Sequence, residues 1–224
     1  MNTTTNDSTP TSEGSTSHAT DSNLRALLDI LRAMAQEGLS YSQNEYDTAR
    51  YEKLLELAAG EYETALGIPK EEAKALFLKE QGSITPKLGV DSAVVNDKGQ
   101  ILVLKRGDGS WGMPGGWADV GESPFETAER ETFEETGLKV KPVGYIAVTY
   151  KTPKNYPGFA SQVNICVAVE PVSDDQKVTL SHEHSDHMWI DSIDQVTDWH
   201  TGQKRLFPRI FAAYRDKSFI PNID

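Results

Sequence analysis

Apolar residues recur at helical spacing near the start of the chain. Leu24, Leu27, Leu28, Leu31 and Ala35 share one side, and Gly38 follows as a stop. A second helix is predicted from about Glu45 to Leu66, with Tyr51, Leu54, Leu55, Ala58, Tyr62 and Ala65 on one side and Gly67 after it. Pro69 opens a third, PKEEAKALFLKE, which Gly82 closes. Residues 23–82 therefore read as a small all-helical unit without a repeat. The pattern then changes to short apolar runs. Val90 to Val95 and Ile101 to Lys105 read as strands joined by Asn96-Asp97-Lys98-Gly99, a hairpin signal. Further strands are expected at Val143 to Tyr150, Gln162 to Val169 and His187 to Ile190. Helices follow from about Ser192 to Trp199 and from about Lys204 to Arg215, the latter carrying Leu206, Ile210, Phe211 and Tyr214. This alternation permits an α/β layer architecture.

Between the second and third strands lies GGWADVGESPFETAERETFEETGL, Gly115 to Leu138. Ser123 can cap a helix, Pro124 suits its first position and Glu126 completes a capping box. Gly137 stands where a left-handed stop belongs. The helix runs from about Pro124 to Thr136, roughly 20 Å at 1.5 Å per residue. At 100° per residue, Phe125, Ala128 and Thr132 form its buried stripe. Glu131, Glu134 and Glu135 fall on an adjacent stripe, where three carboxylates repel one another. Arg130 alone is too little to offset them. A hard divalent cation with oxygen ligands is the natural complement. The bland alternative is a solvated acidic face, but loop, cap, charge and stop all agree.

These residues resemble the Nudix box, Gx5Ex7REUxEExGU, with U a bulky apolar residue. Gly116, Glu122, Arg130, Glu131, Glu134, Glu135, Gly137 and Leu138 occupy their required places. The first U position departs, being Thr132. The resemblance implies an α/β/α sandwich with a mixed sheet over 87–217. It also implies hydrolysis of nucleoside diphosphates linked to another moiety, with Mg²⁺, or Mn²⁺ in its place. By the same resemblance Glu131, Glu134, Glu135 and the Gly115 carbonyl hold metal, and Arg130 orients the glutamates. The run LDILRAMAQEGLSYSQNEYDTARYEKLLELAA resembles the small helical domain preceding some Nudix enzymes, CDP-choline and ADP-ribose pyrophosphatases among them. The same tyrosines and leucines can simply pack three helices together. An uncovered apolar face on that unit predicts a homodimer.

The remaining features set bounds. The chain has 224 residues and a formal net charge of −12, which argues against nucleic-acid backbone as a partner and suits a small anionic substrate met through cations. The single cysteine, Cys166, excludes an intramolecular disulfide, lies in an apolar run and suits a cytoplasmic protein. No apolar run approaches membrane-spanning length. Met1 to Ser22 is rich in Ser and Thr and lacks the basic start and apolar centre of a secretory signal, so it reads as a disordered leader.

Outside the box, Arg106 is a candidate phosphate contact or a plain surface charge at a strand end. Trp111 can stack on a base or pack under its loop. In the loop Lys151 to Ala160, Lys154 can meet a phosphate and Tyr156 and Phe159 can stack on a base or make a dimer contact. The run Ser181-His182-Glu183-His184-Ser185-Asp186-His187 is too compact for its histidines to converge on one ion from a strand start. The resemblance implies an acidic residue a few places before the last strand that reaches the active site, which makes Glu183 the candidate there, as metal ligand or as the base that activates water, with Asp186 in reserve; the alternative is a solvated loop carboxylate. Glu131 is the other candidate base.

Overall fold

The structure, a computed structural model, describes residues 14–156, 160–173, 175–200 and 202–222, with side chains from residue 23 onward. The chain divides into two compact units: Met1–Thr85 with Thr152–Ala160, and Pro86–Lys151 with Ser161–Asp224.

The first unit holds α1 (Gly14–Tyr41), α2 (Glu45–Leu66) and α3 (Lys70–Lys79). Most of the leader falls outside the described residues, and α1 is described from Gly14. Asn44 caps α2 through the Asp47 N–H, and Gly67 ends it in the left-handed conformation, as its position predicts. Leu28, Ala35, Leu55, Ala59, Tyr62, Ala73 and Phe77 form the core, with Tyr62 and Phe77 edge to face at 5.0 Å. Gly38 is not the expected stop, since α1 runs through it to Tyr41. A Cβ at Gly38 would sit 2.3 Å from the Tyr51 ring. The glycine serves close packing of α2 on α1.

The second unit contains β1 (Lys87–Val94), β2 (Ile101–Arg106), β3 (Trp111–Gly112), β4 (Gly115–Trp117), α4 (Pro124–Thr136), β5 (Val140–Lys151), β6 (Gln162–Pro171), β7 (His184–Ile190) and α5 (Phe207–Asp216). One sheet has the order β4-β1-β6-β5 and the other β3-β2-β7. β1 and β6 pair in parallel and the other strand pairs are antiparallel, so the sheet is mixed. Period-two alternation divides β1 and β6 between two cores. Ala93, Val95, Cys166 and Ala168 meet Phe207 and Ile210 of α5. Val90, Val94, Val167 and Val169 meet Ala128 of α4 and Leu138. This is the expected sandwich, with Cys166 a small core residue.

Two local expectations fail. The Asn96–Gly99 turn forms, but β1 and β2 share only the bridge Val95–Ile101 and then enter different sheets. β1 is instead claimed along its length by β6, which covers its edge more completely than a hairpin partner would. The helix expected from Ser192 to Trp199 is only a 3₁₀ turn, Ile193–Gln195. Gln195 completes a capping box with Ser192, after which Val196 turns extended to fill the α5-side core.

Candidate active site

The local signals at α4 work as written in its residues. Ser123 Oγ accepts from the Glu126 N–H, and the Glu126 carboxylate accepts from the Ser123 N–H at 2.8 Å. Gly137 closes the helix at φ 69°. Thr127, Ala128 and Thr132 are fully buried, so the small Thr at the departing box position packs in the core.

Arg130 is the hub of the exposed side. Its Nε and Nη2 donate to the two oxygens of Glu122 at 2.7 and 2.9 Å, a bidentate pair. Nη1 donates to Glu131 at 2.8 Å and to Glu134 at 3.1 Å, and Nη2 also reaches the Trp117 carbonyl at 3.0 Å. The guanidinium, helped by the Asp119 N–H and the Thr127 hydroxyl, holds the Glu122 carboxyl down to about 2.

The three helix glutamates are not equivalent. Glu134 is largely exposed. Glu131 lies against bare backbone, where a Cβ on Gly116 would fall 2.3 Å from its carboxylate, and this is why the motif needs glycine there. Burial pushes the Glu131 carboxyl up, against the pull of Arg130. Glu135 is 6% exposed and accepts from the Gly115 N–H at 2.9 Å. Burial pushes its carboxyl up to about 8; the Gly115 hydrogen bond and the Arg106 charge oppose this, while the Glu131 and Glu183 charges add to it.

Glu183 therefore reaches the same field, and the backbone shows how. The Thr179 N–H donates to the Thr136 carbonyl at 2.7 Å and the Ser181 N–H to the Glu135 carbonyl at 3.1 Å, sewing the loop before β7 to the end of α4. His184 Nε2 lies 3.8 Å from Glu135, and burial lowers the imidazole's basicity. Arg106 pairs in register with His184, and its charge acts on both His184 and Glu135.

Trp111 packs on the α5-side core with the Lys105 ammonium 5.9 Å over its ring. Lys154 and Tyr156 belong to the segment grouped with the helical unit, and Phe159 lies outside the described residues. Sequence reasoning missed Asp91 and Gln203, which are buried and bonded to each other at 2.7 Å. The available signal was a lone acid in the apolar run GVDSAVV.

Among the described residues, no three His, Cys, Asp or Glu side chains converge as a metal cage, and Glu131 and Glu134 are both paired with Arg130. The donor set nevertheless fits a hard dication. It is all oxygen, and two of its carboxylates are disfavoured as anions by burial, a penalty that a bound cation reverses.

Comparison with known proteins bears on the fold and the family. A NUDIX domain model matches residues 85–210, and a model described as a UDP-X-like, N-terminal oligomerisation domain matches residues 22–77. A Bacillus subtilis (strain 168) protein provisionally named as the ADP-ribose pyrophosphatase YjhB is 35% identical over 127 residues, covering 57% of this chain and 61% of that protein. An RNA pyrophosphohydrolase from Vibrio cholerae is 39% identical over 87 residues, covering 36% of this chain and 50% of that protein. The chain thus matches between half and two thirds of each of these relatives. Among solved structures, a UDP-X diphosphatase superposes with a TM-score of 0.53 at 24% identity, covering 89% of this chain and 97% of that one. An ADP-ribose pyrophosphatase from Streptococcus suis 89-1591 gives 0.51 at 24% identity, covering 60% of this chain and 96% of that one. At that identity the superpositions show a shared fold.

Proposed function

The chain belongs to the Nudix family, and from that premise we propose that it hydrolyses the diphosphate of a nucleoside diphosphate linked to another group. The products are a nucleoside monophosphate and the phosphorylated partner group. The observation that carries this reading is the carboxylate set. Arg130 holds Glu122, Glu131 and Glu134 on one side, and Glu135 is buried against Gly115 within the field of Glu183.

Glu131, Glu134, Glu135 and the Gly115 carbonyl are the groups that would hold Mg²⁺, with Mn²⁺ able to substitute. When bound, such ions neutralise phosphate oxygens, acidify a water and stabilise the leaving phosphate. Arg130 keeps the glutamates oriented. Arg106 offers a guanidinium matched to a phosphate beside the carboxylates. Glu183 or Glu131 takes the proton from the attacking water, and Glu183→Gln against Glu131→Gln separates them by which variant loses the acidic limb of the pH–rate profile.

The substrate class is supported by the names of the relatives and by the UDP-X-like N-terminal domain model. That model also supports a homodimer built through the helical unit, where Leu27, Ile30 and Met34 of α1 are exposed. A monomeric mass in light scattering at micromolar concentration would contradict the dimer. Among the described residues no helix is long and apolar enough to cross a membrane.

The test is chromatographic detection of the nucleoside monophosphate and of the phosphorylated partner group over CDP-choline, ADP-ribose, UDP-sugars, NADH, dinucleoside polyphosphates and nucleoside triphosphates. Cleavage of a diphosphate-linked compound that EDTA abolishes and Mg²⁺ or Mn²⁺ restores is the expected result. The RNA pyrophosphohydrolase relatives favour one second reading, so 5′-triphosphate RNA belongs in the panel. The net charge of −12 opposes it. Nucleotide binding in calorimetry without any turnover would replace hydrolysis with a sensor role.

A further inference from the structure

A buried clasp joins β1, the segment ahead of α4 and the lead-in to α5. Gln203 is 3% exposed and its side-chain amide is bonded at both ends. Nε2 donates to Asp91 Oδ1 at 2.7 Å, and Oε1 accepts from the Met113 N–H at 2.8 Å. Gly112 makes room for it, since a Cβ there would lie 2.8 Å from Oε1. From Met113 the chain leads straight to the site. The Pro114 carbonyl accepts from the Ser92 N–H at 2.8 Å, and Gly115 pairs with Asp91 in register. The Gly115 N–H then donates to Glu135 at 2.9 Å.

Asp91 is an expensive residue for that place. It is 5% exposed, and burial pushes its carboxyl up against the pull of the Lys151 charge and of the Gln203 and Asn164 amides. An asparagine would accept from Gln203 equally well but would leave the buried Lys151 ammonium without its opposing charge. The carboxylate adds a direction. Ionised, it can only accept, so Gln203 must turn Nε2 toward it, which leaves Oε1 facing the Met113 N–H. With an amide at 91 the Gln203 amide is free to flip, and a flipped amide puts an N–H against an N–H at Met113.

We infer that Asp91 and Gln203 are positioning residues: their one-way clasp fixes the Met113–Gly115 backbone and, through the Gly115 peptide, the placement of Glu135 and of the Gly115 carbonyl. This rests on the cation-binding reading given above for those two groups. It predicts that the clasp acts on the site in protein that holds no metal and carries no substrate.

The test therefore uses amide hydrogen exchange by NMR in EDTA, together with Mn²⁺ titration followed by electron paramagnetic resonance. Gln203→Glu sets two carboxylates against each other. The double variant Asp91→Asn/Gln203→Glu inverts the bond, with the new amide at 91 donating to the new carboxylate at 203, which still accepts from Met113. Gln203→Glu should speed exchange at the Gly115 N–H and weaken Mn²⁺ binding, each about tenfold, while Val167 in the sheet stays protected. The double variant should restore both. Faster exchange at Met113 alone, with Gly115 and Mn²⁺ affinity unchanged, would reduce the clasp to a local structural bond and overturn the inference. So would a double variant no better than the single. If Gln203→Glu does not fold, Gln203→Ala carries the same expectation for Gly115. A wild-type protein that binds no Mn²⁺ would overturn the cation reading instead, and Gly115 exchange would still decide whether the clasp acts on that peptide.

Discussion

Each unit of the protein contains a side-chain network centred on an arginine, and the two differ in how their charges close. In the helical unit Arg32 donates to Asp29 at 2.6 and 3.0 Å and to Gln36 at 2.9 Å, and Gln36 in turn donates to the Phe77 and Glu80 carbonyls at the end of α3. The pair is almost dry, with side chains 5% and 10% exposed. In the Nudix unit Arg130 is 25% exposed and meets three carboxylates, Glu122, Glu131 and Glu134, with Glu135 buried behind them. The first network satisfies the end of α3 and pairs a buried arginine with a buried carboxylate. The second gathers several carboxylates around one arginine, and burial first, then the Glu131 and Glu183 charges, push Glu135 up to about 8. The first arrangement serves architecture; the second is the one the proposed cation would complete.

Breaking each network should therefore register on different instruments. Arg32→Ala takes the buried guanidinium away from Asp29 and removes the link to Gln36. It should destabilise the helical unit by about 3–5 kcal/mol in denaturant unfolding. Turnover per folded molecule should stay near that of the parent. Glu134→Gln should do the reverse, lowering kcat on the order of 10²-fold or more at nearly unchanged melting temperature, because the residue is a proposed ligand and its side chain is 57% exposed. Near-normal turnover in that variant would remove Glu134 from the metal assignment. Arg130→Lys keeps the charge but cannot hold Glu122 through two parallel bonds, and a loss of about 10- to 100-fold in kcat or Mn²⁺ affinity is expected.

The smallest effect sharpens the comparison by leaving both networks intact. His200 sits beside Arg106 and Lys151, and burial, then those two charges, lowers its pKa from 6.5 to about 4. The folded state favours the neutral ring. Its contribution to stability is thus complete above pH 6.5 and is lost as pH falls toward about 4. His200→Gln should flatten the melting-temperature profile of the metal-free protein across that interval by a few degrees at most. An unchanged slope would place the acid sensitivity on other groups.

How far these features could be read in advance depended on how local their causes are. The α4 helix was legible to the residue, since Ser123, Pro124, Glu126 and Gly137 act on peptide groups within one turn. The same holds for α2 between Asn44 and Gly67. Gly38 misled because a helix-breaking residue and a close-packing residue look the same until Tyr51 is placed on top of it. The Asn96–Gly99 turn was legible, but the partner of β1 was not, because β6 lies some seventy residues further on and wins the edge by tertiary pairing. The carboxylates of α4 could be picked out as a group, while Glu135 as the buried member could not. The helical angle between Glu134 and Glu135 is one step of about 100°, and which of the two faces the sheet depends on where β4 runs.

By itself, then, the sequence determined the helical unit, the capped acidic helix and the motif of the family, because capping, periodicity and charge spacing operate over a few residues. Glu183 was a candidate on the resemblance, but only the tertiary structure shows how its charge acts on Glu135, through the loop sewn to the end of α4. The tertiary structure alone decided that Asp91 meets Gln203 across a separation of 112 residues. No rule of spacing reaches that far: two groups so distant along a chain become neighbours only when sheet pairing and core burial have already placed the strands that carry them.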